Sequence, residues 1–341
     1  MTSTEPTGQD GTSAADVGAA NAGAEAVNAN VNAQAGDGTA PKAAGLTVTA
    51  LLTAYHPDER LVAVVESALA DCARVIVADN TPDGSPSMAR KLDDPRIEVI
   101  PIGRNLGLGG ALNEAVRRIP DGTEAVLLLD QDSVLPAGLV GGLAGLLAAD
   151  PSIGIAAPTP WDAQHETHYN YGAGRQESTA DREAVITSGM LVRREHIDRF
   201  PFREDLFNDF VDIAFCVDVR RSGARIVQDY RLMLPHSMGD RREHAIGPVK
   251  VLVIHYPAWR HYWIARNGVM FNLDNIKRHP LGVLPMGVFL GRKLASAATF
   301  QTGRGAQLAA MLRGMRDGFS GRVTARYLPA GAYVPSGRKK A

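Results

Sequence analysis

The segment Ala125-Val126-Leu127-Leu128-Leu129-Asp130-Gln131-Asp132-Ser133 decides how the rest of the chain is read. A short apolar run bounded by polar residues marks a strand buried on both faces. The run stops on two carboxylates at i and i+2, so acids stand at the carboxyl end of a buried strand. In parallel α/β sheets ligands sit beyond those ends. Paired hard oxygen donors suit Mg²⁺ or Mn²⁺, which bind through one or two carboxylates plus substrate phosphates. An Asp-x-Asp triplet alone is ordinary in solvated loops; the strand in front gives it weight.

Working outward, the same construction recurs. Residues 46–54 form an apolar strand ending at Tyr55-His56-Pro57. Residues 58–70 have helical periodicity through Leu61, Val64, Val65, Ala68 and Leu69. A strand over 74–78 ends at Asp79-Asn80-Thr81, a short helix covers 88–92, and a third strand covers 97–102. The glycine-rich stretch 103–110 reads as a loop opening a helix over 111–118. Such turns let backbone N–H groups approach phosphates. Its spacing is neither a P-loop nor G-x-G-x-x-G, which disfavours a hydride-transferring dinucleotide enzyme. Strand–helix alternation predicts an α/β fold, a mostly parallel nucleotide-binding sheet flanked by helices.

Beyond residue 150 the pattern is less regular. Strands are expected at 153–158 and 184–191, a helix at 210–221, and extended pieces at 225–227 and 232–234. The polar stretch 161–182 reads as a loop with His165 and His168 solvated. From His255 the chain turns aromatic and basic, through Trp259, Arg260, Trp263, Arg266 and Asn267. Trp263 reads as core, while Arg260 fits packing over the sheet and a place at an entrance or lipid headgroup boundary equally well. Residues 281–300 are apolar but broken by Gly, Pro, Arg292 and Lys293, which suits a helix lying along a membrane surface.

Composition sets the outer bounds. The 341 residues carry 36 Lys+Arg against 37 Asp+Glu, so no basic field points to nucleic acid. Two cysteines are too few for a disulfide scaffold, which fits a reducing, cytoplasmic setting. No signal peptide and no transmembrane run is legible. Residues 1–45, rich in Ala, Gly, Asn and Thr, contain no Leu, Ile, Phe, Tyr or Trp and read as a disordered tail. The organisation expected is therefore tail 1–45, catalytic domain 46–250, a helical, membrane-associating extension 251–330, and a basic tail 331–341.

Five motifs in order carry a family resemblance: Thr53-Ala54-Tyr55-His56-Pro57, Val77-Ala78-Asp79-Asn80-Thr81, Arg104-Asn105-Leu106-Gly107, Leu129-Asp130-Gln131-Asp132-Ser133 and Thr187-Ser188-Gly189-Met190. Together they resemble the family 2 inverting glycosyltransferases of GT-A fold, most closely the rhamnosyltransferase branch. The resemblance covers about residues 46–275. It implies a nucleotide-diphosphate sugar donor, dTDP-rhamnose in that branch, and a glycan or lipid-linked acceptor in cell-wall or surface-polysaccharide synthesis. The setting it implies is the inner membrane face. It places Thr53, Tyr55, Asp79, Arg104, Asn105 and Asp130 at the donor, and Thr187, Ser188, Gly189 and Arg260 on the acceptor side. A Mg²⁺ or Mn²⁺ ion would be held by Asp130, Asp132 and His236.

Inverting transfer needs a carboxylate to take the acceptor's proton. Within Leu206-Phe207-Asn208-Asp209-Phe210-Val211-Asp212, Asp209 is the first choice and Asp212 the second. Asp209 could equally cap the helix that follows. The stretch departs from the family in carrying Ala214-Phe215 and Asp218 where an acidic–aromatic pair and an Arg are usual. Two other readings follow: a nucleotidyltransferase, which would want a basic glycine-rich signature that residues 51–60 lack, and an inactive sugar-nucleotide or glycan-binding scaffold.

Overall fold

The computed structural model describes residues 42–162, 167–168, 178–236, 239–247, 249–277, 283–329 and 331–334. Of the expected tail only 42–45 are included, where Ala43 and Leu46 exchange backbone hydrogen bonds across a tight turn. Most of the polar loop with His165, and the basic tail beyond 334, lie outside the described residues.

The chain runs β1 (Val48–Ala54), α1 (Arg60–Asp71), β2 (Arg74–Pro82), a 3₁₀ turn (Met88–Lys91), β3 (Ile97–Gly103), α2 (Gly107–Val116) and β4 (Ala125–Asp130). It continues through α3 (Leu139–Ala149), β5 (Ile153–Asp162), β6 (Thr167–His168), β7 (Thr179–Asp181), β8 (Met190–Arg193), α4 (Arg194–Arg199) and α5 (Val211–Arg221). Then come β9 (Arg225–Pro235), the β10 (Asp240–Ile246)–β11 (Val249–His255) hairpin, α6 (Ala258–Asn275), α7 (Val283–Thr299) and α8 (Arg304–Ser320). The described residues belong to one compact unit, Ala40–Ala341.

The main sheet has the order β3-β2-β1-β4-β8-β5-β9-β7, with β6 paired to β5. Strands β1 to β4 are parallel, as the alternation predicts; β8 is antiparallel between β4 and β5, and β9 is parallel to β5. Successive side chains point to opposite faces of a strand. Leu52, Val77, Leu127 and Leu129 pack with Leu61, Val64 and Val65 of α1 and Leu143 and Leu147 of α3. Leu51, Ile76, Val126 and Leu128 pack with Leu112 of α2, Val211 and Phe215 of α5, and Ile264 and Met270 of α6. The same alternation puts Asp130 on the α5 side, two residues beyond Leu128.

Several boundaries differ from expectation. Helix α2 starts at Gly107, so the supposed loop is its first turn. A side chain there cannot fit: a Cβ on Gly107, whose φ is +71°, would lie 2.2 Å from the Phe207 carbonyl oxygen. On Gly109 it would lie 2.5 Å from that of Arg203. The strand expected over 184–191 begins only at Met190, because Gly189 turns at φ +83° against Pro158. The two extended pieces after 225 are one strand, β9.

The α3 helix and the β10–β11 hairpin are additions, while α8 falls in the stretch expected to be helical. Within residues 281–300, Val283–Thr299 form a helix, α7, whose inner side covers the sheet's ligand end. No helix among the described residues is long and apolar enough to cross a membrane.

Candidate active site

Pairing register brings the strand ends together. Thr53 is opposite Asp130 across β1–β4, and Ala54 is opposite Asp79 across β1–β2. The Tyr55 N–H donates to Gln131 Oε1 at 2.7 Å, tying the first motif to the Asp-Gln-Asp turn. These ends form one wall of a cavity of about 810 Å³, large enough for a nucleotide sugar. That wall carries Thr53, Tyr55, Asn80, Asn105, Asp130, Gln131, Asp132 and His236; Thr187, Asn208, Asp209, Asp212, Arg260 and Lys293 add further polar lining.

The hydrogen bonds around these strand ends show what each expected residue does. Asp79 is fully buried on the α1 side; the Thr81 N–H donates to its Oδ1 at 3.0 Å, and Arg90 Nε lies 3.5 Å from its Oδ2. Its neighbour Asn80 takes the cavity side and accepts from the Leu106 N–H while donating to the Gly107 carbonyl. Asn105 accepts from the Gly107 N–H at 2.9 Å and so fixes the start of α2. Arg104 is exposed, its guanidinium stacked 4.5 Å above Tyr333. Ser188 Oγ accepts from the Asp130 N–H at 3.4 Å, holding the acid's backbone from below. Gly189 is a packing position, not a cavity wall.

The loop 205–210 is held rigidly although strained. Phe207 and Phe210 have φ +59° and +75°, costly for side chains of this size. Buried groups of α6 secure it. Arg266 Nη1 donates to the Asp205 carbonyl at 2.9 Å, and Asn267 donates to the carbonyls of Leu206 and Asp209. Phe207 stacks on the buried Trp263 with centroids 5.0 Å apart. On its other side the Leu108 N–H donates to the Phe207 carbonyl at 2.6 Å. This scaffold fixes Asp209 and Asp212 opposite the strand ends. Asp209 does not cap α5: Phe210 is the N-cap, and the carboxylate turns to Arg260.

The acids experience different surroundings. Burial pushes Asp130 up; the His236 and Arg260 charges counter this while Asp132 reinforces it. Burial pushes Asp212 up to about 6, with the carboxylates of Asp209 and Asp130 adding to the rise. Asp209 is also raised by burial, against the pull of Arg260 and Lys293. Its Oδ2 is buried with no hydrogen-bond partner.

His236 turns Nδ1 to Ser133 Oγ at 3.1 Å. Among the described residues no group of three or more His, Cys, Asp or Glu is disposed to hold a metal. The expected set of Asp130, Asp132 and His236 is thus not assembled in advance, although all three line the cavity.

Lys293 was not expected here; Asn80 and Gln131 stand at strand ends where a ligand was expected, but without an assigned role. Asn80 was adjacent to a named residue, whereas Lys293 carries no local motif and reaches the site only through the packing of α7.

Comparison with known proteins agrees with this geometry. A dTDP-rhamnosyl transferase, RfbF of Shigella flexneri, is 26% identical over 248 residues, covering 67% of this chain and 80% of that one. The succinoglycan biosynthesis protein ExoO of Rhizobium meliloti (strain 1021) is 36% identical over 93 residues, 26% of each chain. Among solved structures, mannosyltransferase PcManGT from Pyrobaculum calidifontis, in complex with GDP-Man and Mn²⁺, superposes with TM-score 0.51 and 15% identity. It covers 90% of this chain and 96% of that one, a likeness of GT-A fold. The Glycosyl transferase family 2 profile matches residues 49–225, just over half of the sequence. A sheet whose strand ends gather acids around a nucleotide-sized cavity is what that match predicts, and this chain belongs to glycosyltransferase family 2.

Proposed function

We propose that this glycosyltransferase moves rhamnose from dTDP-rhamnose onto a glycan or lipid-linked acceptor, with inversion, in surface-polysaccharide or cell-wall synthesis. The observation that carries the reading is the placement of Asp212 in the same cavity as Asp130 and Asp132, close enough for the Asp130 charge to raise its proton affinity. The choice of donor rests on the rhamnosyl relative, which this chain matches over most of its length.

The nucleotide enters at Thr53, Tyr55 and the Asp79-Asn80 end of β2. Its diphosphate falls at Asp130 and Asp132, two hard-oxygen donors whose mutual repulsion fits a shared divalent cation. Mg²⁺ or Mn²⁺ bound there would neutralise the charge developing on the leaving diphosphate. The acceptor hydroxyl attacks the anomeric carbon from the opposite face. Its oxygen bonds to that carbon, the bond to the diphosphate oxygen breaks, and the hydroxyl proton passes to a carboxylate.

We place Asp212 ahead of Asp209 as that carboxylate. The base must reach the acceptor hydroxyl, on the face of the anomeric carbon away from the diphosphate, and of the two acids Asp209 is already engaged by Arg260 at 3.3 Å. A proton affinity near 6 also suits a base working at neutral pH. Asp209 then orients Arg260 on the acceptor side.

Apolar side chains exposed on α7 and α8, Leu284, Val288, Leu312 and Phe319, support peripheral contact with a membrane surface. The test of the whole reading is incubation of purified protein with dTDP-rhamnose, UDP-galactose and UDP-GlcNAc, with and without Mg²⁺. Release of dTDP above the other diphosphates is expected, and release of none refutes it.

A further inference from the structure

Lys293 enters the cavity from α7 with its ammonium 4.9 Å from the ring centre of Tyr256 and 5.6 Å from that of Phe289. No carboxylate of the described residues forms an ion pair with it; Asp209 and Arg260 act on it only through space. Burial disfavours its charge, so an unpaired ammonium here carries a cost that a bound anion would remove.

Its place in the cavity is fixed by a ring it shares with Arg260: that guanidinium lies 4.6 Å from the ring centre of Tyr256, on which the Lys293 ammonium also rests. Asp209 is matched by Arg260 at 3.3 Å, which leaves the Lys293 charge in excess beside that pair.

Tyr256, Trp259 and Phe289 line the cavity with Lys293 and offer apolar walls to a sugar ring. About one and a half to two and a half turns N-terminal of Lys293, the same helix exposes Val288 and Leu284, at 54% and 66%. One helix thus carries the cation in the cavity and an apolar strip on the surface.

We propose that Lys293 is the anion-binding residue of the acceptor subsite, and that the acceptor is a sugar carrying a phosphoryl group. A phosphate joining a sugar to a lipid chain and the phosphate of a free sugar phosphate share this chemistry. The assignment rests on the transferase reading above, and the experiment separates the two.

Full-length protein saturated with dTDP and Mg²⁺ is titrated calorimetrically with glucose 1-phosphate, farnesyl monophosphate and methyl glucoside. The wild type is compared with Lys293→Gln, Lys293→Met and Lys293→Arg; the Met variant keeps the stem's packing on Tyr256 and Phe289. Wild type is expected to prefer at least one phosphorylated probe over methyl glucoside by about tenfold or more. Lys293→Arg keeps that preference, Lys293→Gln and Lys293→Met lose it, and dTDP affinity stays the same. A stronger farnesyl monophosphate arm identifies a lipid source, and a stronger glucose 1-phosphate arm a soluble one.

The proposal is overturned if wild type shows no preference, or if the preference survives in the neutral variants. It is equally overturned if dTDP affinity falls with the probe, since Lys293 would then serve the donor diphosphate. Wild-type protein that binds no dTDP would instead refute the transferase reading, and this assignment with it.

Discussion

Asp209 gives only one of its carboxylate oxygens to Arg260: Oδ1 accepts from Nη2 at 3.3 Å and from Nε at 3.4 Å, while Oδ2 stays buried without a partner. An acid so engaged is a holder of Arg260 before it is a proton acceptor, and this separates two variants. Asp212→Asn is expected to lower kcat by about 10²–10⁴-fold with dTDP binding retained, the usual worth of a general base. Asp209→Asn is expected to raise the acceptor KM more than it lowers kcat. Steady-state kinetics of both variants checks the assignment, and the opposite pattern returns the base to Asp209.

Asp212 also sets a pH dependence of stability. Its carboxyl is raised from the ordinary 3.8 to about 6, so between those values the folded protein holds a proton that the unfolded chain releases. The stability this proton confers is fully present below about pH 4 and is lost as pH rises through about 6. Asp212→Asn, which carries no charge to desolvate, is expected to melt higher than wild type at pH 7.5. The gap in melting temperature should close toward pH 4.5. A constant gap across that range would show that burial of Asp212 imposes no such charge penalty.

Metal dependence is tested at the strand end. Asp132→Ala removes one of two carboxylates that face the cavity and is expected to abolish the Mg²⁺-dependent part of dTDP-rhamnose binding in calorimetry. Wild type treated with EDTA should fall to the same residual affinity. Unchanged binding in either case would remove the cation from the donor site.

Gly107 couples the donor-side helix to the loop carrying the acids. Its φ is positive, and a methyl group at its Cα would meet the Phe207 carbonyl oxygen at 2.2 Å, well inside contact distance. Gly107→Ala is expected to cost about 2–4 kcal/mol and to displace the loop on which Asp209 sits. Urea unfolding measures the first effect, and loss of transfer out of proportion to the remaining folded fraction measures the second.

The parts of the site that a reader of the sequence could place are those fixed by local pattern. Val126 to Leu129 had to be a buried strand, and Asp130 and Asp132 therefore had to stand at its carboxyl end. What escaped depended on distant packing. Glycines 107, 109 and 110 weaken a helix by propensity, yet α2 begins there because the backbones of Phe207 and Arg203 press against it. The α3 segment, with Gly141, Gly142 and Gly145 and no polar stripe, shows no helical period to read. The choice between Asp209 and Asp212 turned on Arg260, 51 residues away from Asp209. Lys293 reaches the cavity only because α7 folds back over it.

The outer surface of that same helical layer supplies the last prediction. Leu284 and Val288 are four residues apart on α7 and so share one face; on α8, Leu312 and Phe319 are seven apart, again in line. Exposed Arg313 and Arg316 flank the second pair, an arrangement suited to anionic headgroups. Full-length protein is expected to co-sediment with phosphatidylglycerol vesicles, less with phosphatidylcholine, and to be released as salt is raised. Leu284→Asp combined with Val288→Asp should weaken that binding by about tenfold or more, since each charge would enter the interface, while dTDP affinity is kept. Equal sedimentation of wild type and variant would show that these side chains meet no membrane.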